Sequence, residues 1–127
     1  MDVAKLARQQ TMNRVAIGAG LIAFPGVLGR IWAGSEASDD RAKVLGRALG
    51  VRDLALGAGG LLAMRDGDDR WTSRSFAAQA AADAVDFVAL VSGRRVPLAS
   101  RLIGGTLAAG SAAVAALYAR RLAEPSA

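Results

Sequence analysis

The sequence predicts an all-α protein, an integral membrane bundle of four helices. Hydrophobic residues make up 53% of the 127 residues, yet only 5% are aromatic, so the apolar content is mostly Ala, Leu, Val and Gly. Small residues in long apolar runs suit helices that pack closely in lipid, whereas a soluble core uses larger side chains. The apolar residues fall into four segments of about 20 residues, which is the length that spans a bilayer core. Most Lys and Arg residues flank these segments, as expected at the ends of membrane spans.

The first segment covers residues 11–32 and contains Pro25 past its middle. Because proline lacks a backbone N–H and its ring clashes with the preceding turn, we expect a kink there. The face of this helix that carries Asn13 and Gly20 is predicted to turn inward. The ten residues before the segment mix basic and apolar side chains, which predicts a short interfacial helix at the N-terminus.

The second segment covers residues 44–64 and carries a glycine face. Four glycines and one aspartate repeat at spacings of four and three residues, which places them on one side of a helix. The first two glycines form a GxxxG pair, which allows another helix backbone to approach closely. The aspartate is therefore expected to point towards a neighbouring helix, while Arg52 lies about 100° around the helix from it. The five residues of this face are Gly46, Gly50, Asp53, Gly57 and Gly60.

The third and fourth segments cover residues 71–92 and 98–119. The third carries a polar stripe on one face, formed by Gln79, Asp83 and Asp86. The fourth contains no charged residue beyond its first turn and is the clearest membrane span of the four. A soluble helical bundle with Arg–Asp pairs on its surface is the alternative, but soluble helices seldom contain so long an uncharged run.

Charges in the second and third segments fall at the same depth if the two segments cross a membrane in opposite directions. Arg52 is about eight residues from the start of its segment, whereas Asp83 and Asp86 are about nine and six residues from the end of theirs. Ionisable groups within a bilayer are costly and usually have a partner or a function. The sequence therefore predicts a buried cluster of Arg52, Asp53, Asp83 and Asp86.

This cluster admits three interpretations. In the first it is structural, and Arg52 neutralises Asp83 or Asp86 to fix the helix register, in this chain alone or in a subunit of a larger membrane complex. In the second, the acids bind a proton or a polar group of a membrane-embedded ligand, as in a small dimeric proton-coupled transporter. In the third, the chain is a cofactor-free membrane enzyme that applies acid–base chemistry to a lipid-like or isoprenoid substrate. The candidate ligand-binding residues are Arg52, Asp53, Gln79, Asp83 and Asp86, and all but Gln79 are also the candidate catalytic residues.

The residue types in the chain exclude several kinds of site. There is no Cys and no His, which removes disulfides, thiolate or imidazole metal sites, and Ser-His-Asp catalysis. No cofactor is predicted. A metal site is not predicted either, although the spacing of Asp83 and Asp86 leaves a shared Mg²⁺ as an alternative.

The distribution of charge bears on partners and location. The net charge is +5, but the basic residues form no stripe and have no interleaved aromatics, so no nucleic-acid partner is predicted. We expect a multi-pass protein of the inner membrane, in contact with lipid. Basic residues are nearly equal in number on the two sides, so the positive-inside rule gives almost no orientation. This balance suits a homo-oligomer, such as an antiparallel dimer, or a subunit of a membrane complex.

Two motifs carry a resemblance to known proteins. The second segment contains G-x-R-D-x-x-x-G, from Gly50 through Arg52 and Asp53 to Gly57, and the third contains D-x-x-D at Asp83. Together they resemble a group of small four-helix bacterial integral membrane proteins of unknown function. The match covers about a third of the chain. It implies an architecture and, with the Ala- and Arg-rich composition, a bacterial source, but no mechanism.

Overall fold

The fold is helical throughout the part of the chain that a computed structural model describes, residues 2–33 and 39–124. This confirms the all-α prediction. Five helices occupy these residues, where four spans were expected. They are α1 (Val3–Ala23), α2 (Pro25–Ala33), α3 (Asp40–Asp66), α4 (Asp69–Ser92) and α5 (Leu98–Ala123).

Short polar turns set the ends of the helices. Asp39 and Asp68 cap α3 and α4, each accepting a backbone N–H of the first turn at 2.7 and 2.9 Å. Gly67 ends α3 with a φ of 70°, a left-handed conformation that favours glycine. Only Gly67 and Asp68 separate α3 from α4, so these two helices must run antiparallel.

The expected first span, residues 11–32, is divided in two. The helix breaks at Phe24, and α2 begins at Pro25, so proline interrupts the helix where we expected a kink. The first ten residues were expected to form a separate interfacial helix, but from Val3 onwards they belong to α1. One carbonyl near the break, that of Ile22, accepts a hydrogen bond from Nε of Arg47 at 3.4 Å.

The helices form two halves. The most extensive contacts are those of α4 with α5 and of α1 with α3, while α2 packs mainly on α3. We call α1, α2 and α3 the first half and α4 and α5 the second half. In the first half α1 and α3 run antiparallel, since Thr11 lies beside Gly60 while Gly18 lies beside Gly50. In the second half α4 and α5 do the same, since Ser73 bonds to Ala119 while Phe87 lies beside Gly105.

An apolar core lies near the α3–α4 turn and joins the two halves. It consists of Ala7, Phe76, Ala115 and Ala119, all buried. The rings of Phe76 and Tyr118 meet edge to face, with centroids 4.8 Å apart. This core occupies one end of the bundle and leaves the middle to polar side chains.

Two of the helices, α4 and α5, are long and apolar enough to cross a membrane. Their outer faces are largely exposed and apolar, as at Val85, Val88, Leu102 and Ile103. A membrane location thus has support from these two helices, while a four-span bundle stays a prediction.

Candidate functional site

The glycine face of α3 packs directly on α1. A Cβ atom added at Gly50 would lie 2.7 Å from the carbonyl oxygen of Gly18, and one at Gly57 would lie 2.7 Å from Val15. No side chain fits at this distance, so glycine is what allows the two backbones to approach. Asp53 lies between these glycines and therefore faces α1.

Arg14 of α1 is the centre of a polar cluster in the middle of the bundle. It is only 7% exposed. One guanidinium nitrogen donates to Asp53 at 3.0 Å, and the other forms an ion pair with Asp83. The latter nitrogen also lies 3.4 Å from Oγ of Ser111. A single arginine thus connects α1, α3, α4 and α5.

Arg52 forms the second part of the cluster. It donates two hydrogen bonds to the Asp86 carboxylate, at 2.8 and 2.6 Å. This paired geometry is the strongest arrangement available to arginine and a carboxylate. Arg52 also donates to Oδ1 of Asp53, at 3.0 and 3.2 Å. Asp53 therefore links the two arginines, and the Arg52–Asp86 end of the cluster is about one third exposed.

Ser111 and Gln10 complete the cluster on the side of α5. Ser111 donates its hydroxyl proton to Oδ2 of Asp83 at 2.5 Å. Gln10 in turn donates to the Ser111 hydroxyl and to its backbone carbonyl, at 2.6 and 3.0 Å. Asp83 is consequently held on both carboxylate oxygens, by an arginine and by a hydroxyl.

The cluster carries more negative than positive charge. Three carboxylates face two guanidiniums, and the other two members, Gln10 and Ser111, are neutral. With all ionisable groups charged, the net charge is −1. An uncompensated charge is costly in a low-dielectric interior, and one added positive charge would balance the network.

Gln79 lies on α4 one helical turn before Asp83, nearer to the α3–α4 turn. It is fully buried, as expected for a stripe that faces inward. Neither its Nε2 nor its Oε1 has a hydrogen-bond partner in the described residues. The structure therefore places Gln79 next to the cluster but not in its network of hydrogen bonds.

Four of the five sequence-predicted residues come together in the network: Arg52, Asp53, Asp83 and Asp86. The buried salt bridge is confirmed: of the two acids expected as partners of Arg52, Asp86 pairs with it, whereas Asp83 pairs with Arg14 from α1.

Sequence reasoning missed Arg14, Gln10 and the role of Ser111. Arg14 looked like a flanking charge at the start of a span that was expected to begin at residue 11. The predicted inward face of α1 was wrong, since Asn13 is exposed. The helical period was the same, but the buried face was a different one. The buried positions of α1 recur every three or four residues and are Val3, Ala7, Thr11, Arg14, Gly18 and Leu21.

The contacts of the acids bear on the Mg²⁺ alternative. The carboxylates of Asp83 and Asp86 are both occupied by guanidinium groups, and no group of three acidic residues with metal-binding geometry occurs in the part of the chain described. A cation of this charge prefers several oxygen ligands free of competing positive charge. The geometry therefore favours arginine pairing over a shared metal.

Two shallow apolar grooves lie on the outside of the second half. One runs along α5 at Leu102, Ile103, Thr106 and Leu107. The other is on α4 between Ala84 and Ala89. Neither is lined by a residue of the polar cluster, so the charged groups do not face these grooves.

Comparison of the chain with protein-family models, with curated proteins and with solved structures found no match.

Proposed function

We propose that this chain is a small multi-pass protein of the inner membrane, in which the polar cluster joins the two helical halves and binds one proton. One observation carries the proposal: three carboxylates and two guanidiniums form a single network across the interface between the halves. The Arg14–Asp83 pair and the Arg52–Asp86 pair both cross that interface.

A proton is the positive charge that best fits this network. The groups facing one another are Arg14 and Gln10 from α1, Arg52 and Asp53 from α3, Asp83 and Asp86 from α4, and Ser111 from α5. A proton on one carboxyl makes the set neutral and needs no additional space. Because the acids share partners, the proton belongs to the network as a whole and not to one residue.

The location of the network supports a second function, that of a small proton-coupled transporter acting as a dimer. A proton on Asp83 or Asp86 weakens an ion pair that joins the two halves. Loading and release of the proton would then change how firmly the halves are held together, which is the type of coupling that alternating access requires.

The enzyme interpretation has less support from the geometry. Acid–base catalysis needs a carboxyl group that reaches the substrate. The cluster acids are instead engaged by Arg14, Arg52 and Ser111, and the two apolar grooves lie away from them. An isoprenoid or other lipid-like substrate would have to displace these contacts first.

Infrared difference spectroscopy tests proton binding directly. Purified protein in lipid nanodiscs is compared at acidic and alkaline pH, and the carbonyl stretch of a protonated carboxylic acid is recorded. We expect a band that is altered or lost in Asp53→Asn, Asp83→Asn and Asp86→Asn. The band should persist in Asp66→Asn, which changes an exposed acid at the end of α3. A spectrum in which all four variants match the starting protein would contradict the proposal.

The membrane topology is tested by thiol labelling. The chain has no cysteine, so a single introduced cysteine is the only thiol. Asp66→Cys lies before the α3–α4 turn and Arg94→Cys lies between α4 and α5. We expect an impermeant reagent to label the two from opposite sides of sealed vesicles. Labelling of both cysteines from the same side would contradict the proposal that α4 crosses the membrane. Labelling of each cysteine from both sides would indicate that the protein inserts in two orientations, as in an antiparallel dimer.

Partners are proposed on the same basis. We propose contact with membrane lipid through the exposed apolar faces of α4 and α5, and assembly as a homo-oligomer or as a subunit of a membrane complex. Native mass spectrometry of gently extracted protein distinguishes these last two by mass.

A further inference from the structure

A buried amide without a partner lies at the centre of the bundle. The Gln79 side chain is fully buried, and both of its polar atoms lack a hydrogen-bond partner in the described residues. Buried polar groups in native proteins nearly always bond to protein or to ordered water, since leaving them unpaired is costly. An apolar residue of similar length, such as methionine, would avoid that cost, so the amide needs an explanation.

The surroundings of Gln79 fit its amide closely. A Cβ atom added at Gly60 would lie 2.5 Å from Nε2 of Gln79 and 3.2 Å from Cγ2 of Thr11. The amide therefore occupies the space beside a glycine of α3. The Thr11 hydroxyl donates to the carbonyl of Ala7 at 2.8 Å, which leaves its oxygen able to accept a hydrogen bond.

A second unpaired group lies one turn away. Nε of Arg14 is buried and has no partner within the described part of the chain, although both terminal nitrogens of the guanidinium contact carboxylates. Arg14 follows Thr11 by three residues on α1, and Asp83 follows Gln79 by four on α4. Since Arg14 pairs with Asp83 and Gly60 lies beside both Thr11 and Gln79, the residues that carry the two unpaired groups lie on adjacent turns of α1 and α4.

We propose that internal water occupies the interior between Gln79 and Arg14, where it bonds to the Gln79 amide and to Nε of Arg14. Buried waters typically make about three hydrogen bonds to otherwise unpaired groups of this kind. This water would extend the row of polar groups inward, from the partly exposed Asp86 through the buried Asp83 to Gln79. In the function proposed above, this water would hold protons that exchange with the carboxylates of the cluster. That role rests on the proposed function, whereas the water site does not.

Nuclear magnetic resonance of the glutamine side chains tests the water site. The chain has three glutamines, so amide labelling with nitrogen-15 gives three side-chain signals, which single variants assign. Gln9 is exposed and serves as the surface reference, and Gln10, which donates to Ser111, serves as the internal one. We expect the Gln79 amide to show cross-relaxation with long-lived water and slower hydrogen exchange than Gln9. A folded protein whose Gln79 signal lacks any water contact would overturn the site.

A variant tests the functional part separately. Gln79→Met keeps the length of the side chain and removes both polar atoms. We expect it to leave the carboxyl infrared band in place and to slow proton uptake severalfold relative to Asp66→Asn. An unchanged uptake rate would overturn the role as a proton store. If the proposed function is wrong, the carboxyl infrared band will be absent. The water site is tested separately by the glutamine resonances, so the two failures can be distinguished.

Discussion

The interface between α1 and α3 and the interface between the two halves use different means of association. The first depends on close approach of two backbones, at Gly18 against Gly50 and at Gly57 against Val15. The second combines a small apolar core with charged side chains that reach across, Arg14 to Asp83 and Arg52 to Asp86. Backbone contact tolerates almost no added volume, whereas ion pairs depend on charge. The first interface is therefore sensitive to added volume, and the second to changes of charge.

The largest expected effect is at the first interface. Gly50→Val places new atoms where even a Cβ would lie 2.7 Å from a backbone oxygen of α1 and 2.9 Å from the Leu21 side chain. Because neither can move without shifting the helix, we expect loss of folded protein, measured by size-exclusion profile and helical circular dichroism in detergent.

Gly59→Ala is the matched control on the same helix. A Cβ at Gly59 meets nothing within 4 Å, so this variant should fold normally and gain helix propensity of up to about 1 kcal/mol. Equal behaviour of the two variants would show that α1 and α3 are not in close contact.

The next effect is at the second interface. Arg14→Met leaves Asp83 buried without its cation, and removal of one member of a buried pair typically costs about 3–5 kcal/mol. We expect a loss of this size in the free energy of unfolding, measured by denaturant titration in detergent micelles. The double variant Arg14→Met with Asp83→Leu should recover part of it, since it removes the buried Asp83 carboxylate together with its cation and returns the net charge of the cluster to −1. If the double variant loses the sum of the two single losses, the pair does not couple the halves.

A smaller effect is expected at the outer end of the same interface. Arg52 and Asp86 are each about one third exposed, so water can compensate when one of them is removed. Exposed pairs contribute about 0–1 kcal/mol, and we expect Arg52→Met to cost about 1–2 kcal/mol in the same assay. A loss equal to that of Arg14→Met would show that the exposed end of the interface contributes as much stability as the buried end.

The smallest effect is expected at Gln10, one of the two neutral residues of the cluster. Gln10→Ala removes the donor to Ser111 but leaves the Ser111–Asp83 bond intact. We expect a cost of about 1 kcal/mol, the usual net value of one hydrogen bond, and no change in the carboxyl infrared band. A lost band would mean that Gln10 helps to set the protonation of the cluster.

The sequence predicted the pairing of α3 and α4 more accurately than it predicted the role of α1. Arg52 and Asp86 could be matched because a short turn fixes the relative depth of two adjacent helices. Arg14 could not, because α1 begins at Val3 and not at residue 11, so Arg14 lies in the middle of the helix and not at its end. The partner of each acid also depends on how α1 and α5 are placed, and no local pattern specifies that. Helix periodicity thus identified most of the acidic groups but not the arginine that connects them.

The two-residue turn between α3 and α4 has a consequence for how the protein enters a membrane. In the multi-pass topology proposed above, a connection this short would require α3 and α4 to insert together as a helical hairpin. Inserted alone, α3 would carry Arg52 into the hydrocarbon region at a cost of about 2.5–3.5 kcal/mol. Inserted with α4, it arrives with the carboxylate of Asp86 already beside it. In that topology the turn would bring Arg52 and Asp86 into the lipid together, as a neutralised pair.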